Sequence, residues 1–516
     1  MLAMNDIELG DDFAALNNLE TFMAYSCMTS ASEFLSVSFY SSDITGTTYQ
    51  PSEIVLQCKK VFKNIIAYDK FDFDGKKESM YALRPAFDTV ADMIGKGKKV
   101  PESLLEIFAQ NSEYSAKLDS LINAKDKVPF KIFDKKNAEK LFGKNLNISA
   151  SQLEKFNLCR FSYFCNYGLN VRERQRAEIN PMQYGTIVHY ILERFFGEYT
   201  KEEYLSLEED KLQKIVCAYL AEYAVKYFGE EQLESNSFTY RLKTILDNVM
   251  HLMKHIMEEL SQSEFFVADC ELKIGEDIPS YTIVLPDGHK IAVCGSVDRV
   301  DIMQRADITY LRIIDYKTGT KQFKLSDILY GINLQMLLYL HSIEASGGDK
   351  YGEIVPAGIL YMPATVPYIS SDSLKSIDKL PDELNKKLKM NGLLLKDTEI
   401  IHGMDKTDVA TYIPVKIKAG EPVSSTSLAT LAEFGKIFKK VDMLIAEMGK
   451  NIYNGNIEAK PLKGGHDSCE YCPYDSVCAY RQSNPITCFS VDNKTVIEEI
   501  TNEINGKEEE LSLIHI

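Results

Sequence analysis

No stretch of this 516-residue chain approaches the roughly 18 or more uninterrupted apolar residues of a membrane helix, so no membrane partner is expected. The start, MLAMNDIELGDDF, lacks the basic residues and apolar run of a secretory signal, which makes the cytoplasm the expected location. GxxxxGK[ST] occurs nowhere, so no phosphate-cradling loop and no ATPase activity are expected of this chain. Positive charge is in deficit: 58 Lys and Arg against 75 Asp and Glu leave a net −17. That argues against a protein that coats nucleic acid, which needs clustered Lys and Arg. It does not argue against an enzyme that holds DNA in one local basic channel. Cysteine is sparse, with eleven residues, too few for a disulfide scaffold. There is no internal repeat. What is present is length for two to four domains and 45% hydrophobic residues, enough for a large core.

Residues 1–125 read as helical, with a strand-like stretch SEFLSVSFY and an amphipathic helix opening at Pro51-Ser52. Residues 126–148 are rich in Lys and Asn and read as a linker. Ser149-Ala150-Ser151 then caps a helix running through Leu153 and Phe156 to Cys159. Further helices are expected over about 184–196, 203–228, 237–262 and 326–342. Between them lie the period-2 runs FFVADCELKI, YTIVL, KIAVCGSVDRVDI and ITYLRIIDYK, with IVPAGILYM after. Pro286-Asp287-Gly288 marks a hairpin turn. Strands bracketed by helices predict an α/β core with a mixed sheet. The tail over 491–516 is acidic and weakly patterned and reads as an appendage.

Side chains alternate faces along a strand. Asp298 therefore shares a face with Val300 and Ile302, and Asp315 with Ile313 and Lys317. Each carboxylate falls on the side its apolar neighbours mark as buried, where a charge is costly unless paired or bound to metal. Two acids on neighbouring strands suit a hard divalent cation such as magnesium. Lys317 is placed to orient a water or stabilise developing negative charge. The competing reading is a structural salt bridge. Asp301 falls on the opposite face from Asp298, a structural or solvent-facing place. His189 lies in QYGTIVHYILERFF on a different side of the helix from Ile187, Ile191 and Phe195, with Gly185 one turn earlier leaving room for close approach. Gln335 and Tyr339 are four apart on the helix after the DYK strand and point the same way.

The series GTIVH, GSVDRVD, DYKTG and QMLLY, in that order and spacing, resembles the RecB-type branch of the PD-(D/E)xK nucleases. The resemblance implies a restriction-endonuclease-like mixed sheet flanked by helices. It assigns His189, Asp298, Asp315 and the backbone carbonyl of Tyr316 to a Mg2+ or Mn2+ ion and Lys317 to catalysis, all of them part of the catalytic centre. Gln335 and Tyr339 would contact DNA or support the site.

Cys469-x2-Cys472-x5-Cys478 has the short spacing of thiolate ligands and needs a fourth. Cys159 is the best candidate and Cys165 its near rival; a zinc knuckle completed by His466 is the other possibility. Cys27, Cys58, Cys217, Cys270, Cys294 and Cys488 are scattered and read as small core residues. Together with SASQLEKFNLCRFSYF, CEYCPYDSVCAY and MNGLLLKD, the pattern resembles the iron–sulfur nuclease domain of AddB-type subunits of bacterial ATP-dependent helicase–nucleases. The resemblance implies a 4Fe–4S cluster on Cys159, Cys469, Cys472 and Cys478, closing a nuclease domain over 149–490. It also implies a heterodimer with an AddA-type helicase–nuclease subunit, acting on single-stranded DNA from an unwound duplex end. Residues 20–60 resemble the end of the family's helicase-like region, so 1–125 is expected to be a helical remnant of that domain in a fragment or truncated product. Three functions stay open: an exonuclease subunit in double-strand break processing, a stand-alone nuclease like the CRISPR-adaptation family, and a non-catalytic DNA-binding scaffold.

Overall fold

The computed structural model describes residues 13–40, 48–65, 82–95, 98–123, 131–132, 134–172, 181–229, 236–319, 322–365, 380–424, 426–478, 480 and 485–514. The chain divides into two units, Met1–Val128 and Pro129–Ile516. The first is helical, with Phe13–Thr29, Glu53–Val61, Leu83–Gly95, Glu102–Gln110 and Ser115–Asn123 in order. Its core lies among the last three helices, where Phe87, Phe108 and Tyr114 pack ring against ring beside Val90 and Leu118. The strand expected at SEFLSVSFY does not form; residues 32–40 are irregular and exposed. Strand propensity is mostly a preference for packing on a paired neighbour, and no strand pairs here.

The second unit is built on a six-stranded mixed sheet. Its strands are β1 (Phe266–Ile274), β2 (Gly295–Arg305), β3 (Ile308–Lys317), β4 (Glu353–Pro363), β5 (Asn391–Leu395) and β6 (Leu428–Ala429), and they lie in the sheet in chain order. β1, β2 and β3 form an antiparallel meander. β3 and β4 are parallel, β4 and β5 antiparallel, β5 and β6 parallel. Six helices bear on the site or its supports: α1 (Ala150–Leu158), α2 (Pro181–Glu198), α3 (Asn236–Ser261), α4 (Gln335–Ser346), α5 (Leu431–Tyr453) and α6 (Asn493–Ile514). The parallel step from β3 to β4 requires a crossover, and α4 supplies it. β3 and β4 are buried along most of their length, which is why both read as nearly continuous apolar runs. The expected α/β architecture, a mixed sheet flanked by helices, is the one observed. Among the described residues no helix is long and apolar enough to cross a membrane.

Several boundaries differ from the sequence reading. The run KIAVCGSVDRVDI divides at Cys294. Lys290–Val293 joins a separate three-stranded sheet with Asn145–Ile148 and Thr282–Val284, and β2 begins at Gly295. The hairpin at Pro286-Asp287-Gly288 forms, with Gly288 at φ +87 and the Leu285 amide bonded to the His289 carbonyl. The helix expected from 326 is a 3-10 turn, Leu325–Tyr330, followed by α4, because Gly331 turns left-handed at φ +70. The 203–228 pattern is two helices, Lys201–Leu205 and Glu209–Phe228.

Within the expected linker 126–148, residues 135–142 form a helix capped by Asp134, and 145–148 form a strand. A strand with two inward residues is too short to register as alternation; 126–130 and 133, like 1–12, lie outside the described residues. The 491–516 tail is likewise no appendage. α6 packs on α5 with Val496 and Ile500 fully buried, and Glu503 pairs with Lys440 at 2.5 Å. Two apolar anchors in an acidic helix are too sparse to show as a period.

Candidate active site

The register of the meander sets three acids in one row. Cys270 opposite Arg299 and Leu272 opposite Val297 place Glu271 across from Asp298. Arg299 opposite Ile314 places Asp298 across from Asp315. Asp315 is 2% exposed. The Tyr316 amide donates to Asp298 Oδ2 at 3.0 Å. Lys317 Nζ lies 2.9 Å from Asp315 Oδ1 and 2.6 Å from Oδ2. From α2, His189 comes down on the row: its Nδ1 is 2.8 Å from Glu271 Oε1 and its Nε2 is 3.7 Å from Asp298 Oδ2. Ser296 Oγ donates to the other Glu271 oxygen at 2.7 Å. Gly185 is not forced by crowding, since a Cβ there would meet Thr318 at an ordinary 3.9 Å.

Packing acids together has an electrostatic cost. Burial, and then the charge of Asp315, push the Asp298 carboxyl up to about 7. Burial alone would lower the His189 pKa, but the Glu271 hydrogen bond and the charges of Asp298, Glu271 and Asp315 outweigh it and raise it. Burial would raise Glu271, yet its bonds from His189 and Ser296 hold it below the usual carboxylate range. Both Asp298 and His189 are thus biased toward holding protons, which a divalent cation would replace. Among the described residues, His189, Glu271 and Asp298 are the group of His, Cys, Asp and Glu gathered closely enough to hold one ion. Asp315 stands beside that group, tied to Lys317. Glu271 was absent from the expected ligands. Its signal was an acid in the middle of the half-apolar run ADCELKI, and its backbone at φ +51 defeats a simple alternation reading.

The other face of the same strands carries a closed set of charges. Arg299 donates to both oxygens of Asp301 at 2.6 Å and to Glu259 of α3 at 3.0 Å. Arg312 bonds Asp301 at 3.0 Å and Glu259 at 2.5 Å. All four side chains are fully inaccessible to solvent. Asp301 therefore takes the structural place, not the solvent-facing one. The Tyr316 side chain turns to this face too, its hydroxyl 3.5 Å from Arg299.

Gln335 is half-buried at the first turn of α4. Tyr339, one turn on, is 5% exposed and supports the site from inside. Its hydroxyl occupies the space where a Cβ at Gly295 would lie, 2.2 Å away, so β2 can only begin on glycine.

The cysteines are distributed unevenly. Cys159, Cys165, Cys472 and Cys478 border one small apolar cluster around Phe161 and Tyr474. Cys469 lies three residues before Cys472 in the same turn, its carbonyl accepting from the Cys472 amide. The Tyr474 hydroxyl donates to the Val171 carbonyl at 2.8 Å, which joins the late cysteine loop to the segment after Cys159. Burial raises the Cys159 thiol, opposed by amides of Ser162, Phe161 and Lys460 directed at its sulfur. His466 faces Asp327 at 3.5 Å. Of the scattered cysteines, Cys488 is buried, Cys58, Cys270 and Cys294 are partly so, and Cys27 and Cys217 are exposed, against the expectation of core positions. Both lie on outward positions of helices, where a small apolar residue carries little burial signal.

Residues 147–479 match the family model described as the PD-(D/E)XK nuclease superfamily. The chain belongs to that superfamily. The matched span of this PD-(D/E)XK chain takes in the carboxylate row, His189, Lys317, the α4 face and all four expected cluster cysteines. The chain is also similar to proteins named as a subunit of the ATP-dependent helicase/deoxyribonuclease. One from Clostridium acetobutylicum is 30% identical over 98% of this chain and 45% of its own length. One from Clostridium botulinum strain Loch Maree is 32% identical over 92% of this chain and 43% of its own. One from Thermoanaerobacter sp. strain X514 is 30% identical over 93% and 43%. The chain spans under half the length of these relatives.

Proposed function

We propose that the chain is a metal-dependent deoxyribonuclease that hydrolyses phosphodiester bonds as the nuclease subunit of a helicase–nuclease complex. The observation that carries this is the row Glu271–Asp298–Asp315, with Lys317 at one end and His189 above the other. The donor set fits a hard cation such as Mg2+ or Mn2+: carboxylate oxygens, one imidazole nitrogen and the nearby Tyr316 carbonyl. When bound, such an ion supplies charge compensation at the phosphate and acidifies water. Glu271 accepts at His189 Nδ1, which leaves the Nε2 lone pair directed toward Asp298 and available as a ligand. Lys317 holds the Asp315 carboxylate and presents its ammonium to negative charge developing on the phosphate.

The names of the relatives support DNA as substrate and an AddA-type helicase–nuclease partner, with single strands from an unwound duplex end entering the site in the cytoplasm. In the same reading Cys159, Cys469, Cys472 and Cys478 hold a 4Fe–4S cluster that closes a nuclease domain over 149–490, and 1–125 comes from a helicase-like region. Three of these thiols at one apolar cluster, with amides aimed at Cys159, support a thiolate-bound cluster.

The test is cleavage of single-stranded DNA by the full chain. It is expected to need Mg2+ or Mn2+ and to stop with EDTA. Asp315→Ala and Lys317→Ala are each expected to cost about a hundredfold or more in rate with folding intact. Parental activity in either variant rejects the site.

A further inference from the structure

Helix α1 meets α4 and the turn before it at three points on one stripe. Ala150, Glu154 and Asn157 are four and three residues apart, the spacing that aligns positions along a helix face. At the first point the Ala150 amide meets the Tyr339 hydroxyl. At the second, Glu154 Oε1 accepts from the Leu334 amide at 2.8 Å. At the third, Asn157 Nδ2 donates to the Gly331 carbonyl at 3.0 Å. A Cβ at Gly331 would lie 2.2 Å from that nitrogen, so the turn ahead of α4 closes directly on Asn157.

α4 has no cap of its own. Its N-cap is Leu334, whose side chain offers no acceptor. The first amides of a helix need acceptors from elsewhere, and a carboxylate there also meets the positive end of the helix dipole. Glu154, far away in sequence, is that acceptor. The effect reaches the acids by a short route: the Tyr339 hydroxyl presses on Gly295, and the strand that Gly295 opens carries Asp298. At its other end α1 terminates on Cys159. Resting on the nuclease reading above, the geometry points to Glu154 and Asn157 as positioning residues that set the Gln335–Tyr339 face of α4 against the carboxylate row, and to α1 as the member joining the cysteine cluster to that row.

The full chain carrying Glu154→Ala, Glu154→Gln or Asn157→Ala is compared with the parent in two ways. The first is hydrogen exchange of the amides from Leu334 to Leu338, which does not depend on activity. Glu154→Ala and Asn157→Ala are expected to speed it by about tenfold. Glu154→Gln keeps an acceptor oxygen and is expected to stay near the parent, and α5 amides are expected not to change. The second is cleavage of a single-stranded oligonucleotide with magnesium. Glu154→Ala is expected to lower kcat/KM by roughly ten- to a hundredfold with bound iron unchanged. Added to Gln335→Ala, it is expected to cost nothing further, because both act through one helix.

Unchanged exchange in both alanine variants overturns the proposal. So does faster exchange with parental kcat/KM, or an additive loss in the Gln335→Ala background. Cys159→Ala is expected to speed exchange in the same α4 amides; a change confined to 159–168 overturns the link to the cysteines. If parent and Lys317→Ala both fail to cut, the nuclease reading fails, and the exchange measurements still decide this one.

Discussion

Asp298 has an acid on either side, Glu271 on β1 and Asp315 on β3, and a histidine above it. Its carboxyl, held up to about 7, must lose its proton before it can bind a cation. Cation affinity is therefore expected to rise between about pH 6 and about pH 8, where the proton leaves. Glu271 is expected to matter in the same measurement. Glu271→Ala removes both a close carboxylate and the partner that orients His189, and is expected to weaken Mg2+ or Mn2+ affinity by about ten- to a hundredfold. Parental affinity would return Glu271 to a purely structural place. Asp298, Asp315 and Lys317 were legible because strand alternation put each with buried apolar neighbours. Glu271 was not, because a left-handed residue breaks the alternation in β1. Asp301 was only half legible. Alternation gave its face, but not the two arginines and Glu259 that neutralise it, since those meet only after α3 packs on the sheet.

At the scale of elements, the strands were the readable part and the breaks were not. Periodicity found β1 to β4, yet it ran Lys290–Val293 into β2 and the 3-10 turn into α4. In both places one glycine redirects the chain, and what requires it is a distant side chain, Tyr339 at Gly295 and Asn157 at Gly331. α4 is also fastened on its outer side. His341 stacks on Phe438 of α5, with ring centroids 4.6 Å apart, and its Nε2 is 3.0 Å from Asp442, which also accepts from Tyr281 at 2.9 Å. Glu344 faces its other nitrogen at 3.6 Å. Burial would lower this histidine, but the bonds to Asp442 and Glu344 raise it to about 9. A raised pKa stabilises the fold fully below the unfolded value of about 6.5, and that stability is lost as pH rises through about 9. The contribution is on the order of 3 kcal/mol. Thermal melts are expected to fall more steeply over this alkaline range for the parent than for His341→Gln. Parallel pH profiles would show that His341 is not charged in the fold.

At the scale of the molecule, the cysteines bear on whether the second unit holds together as a whole. Cys159 precedes every strand of the main sheet and Cys472 follows them all. If one 4Fe–4S cluster binds both, anaerobically prepared protein is expected to be brown, with about four irons per chain. Replacing Cys159 is expected to bleach it as fully as replacing Cys472 and to lower the melting temperature of the whole unit, because ligand bonds count as folding free energy. Colourless protein with one tightly held zinc would replace the cluster with a knuckle. Colour that survives loss of Cys159 but not of Cys165 would move the fourth ligand.

The order of the main sheet has a consequence for how the chain is made. Each strand from β1 to β6 pairs with the one synthesised just before it, so on the ribosome the sheet can grow by accretion at one edge as each strand emerges. The peripheral pieces cannot follow that schedule. The strand 145–148 waits for 290–293, and the segment after Cys159 waits for the loop that ends at Cys478. Until translation reaches that loop, the thiols of Cys159 and Cys165 stand without their late neighbours. The nascent chain is then most open to oxidation at the N-terminal edge of its nuclease unit, and metallation is an event of release rather than of synthesis.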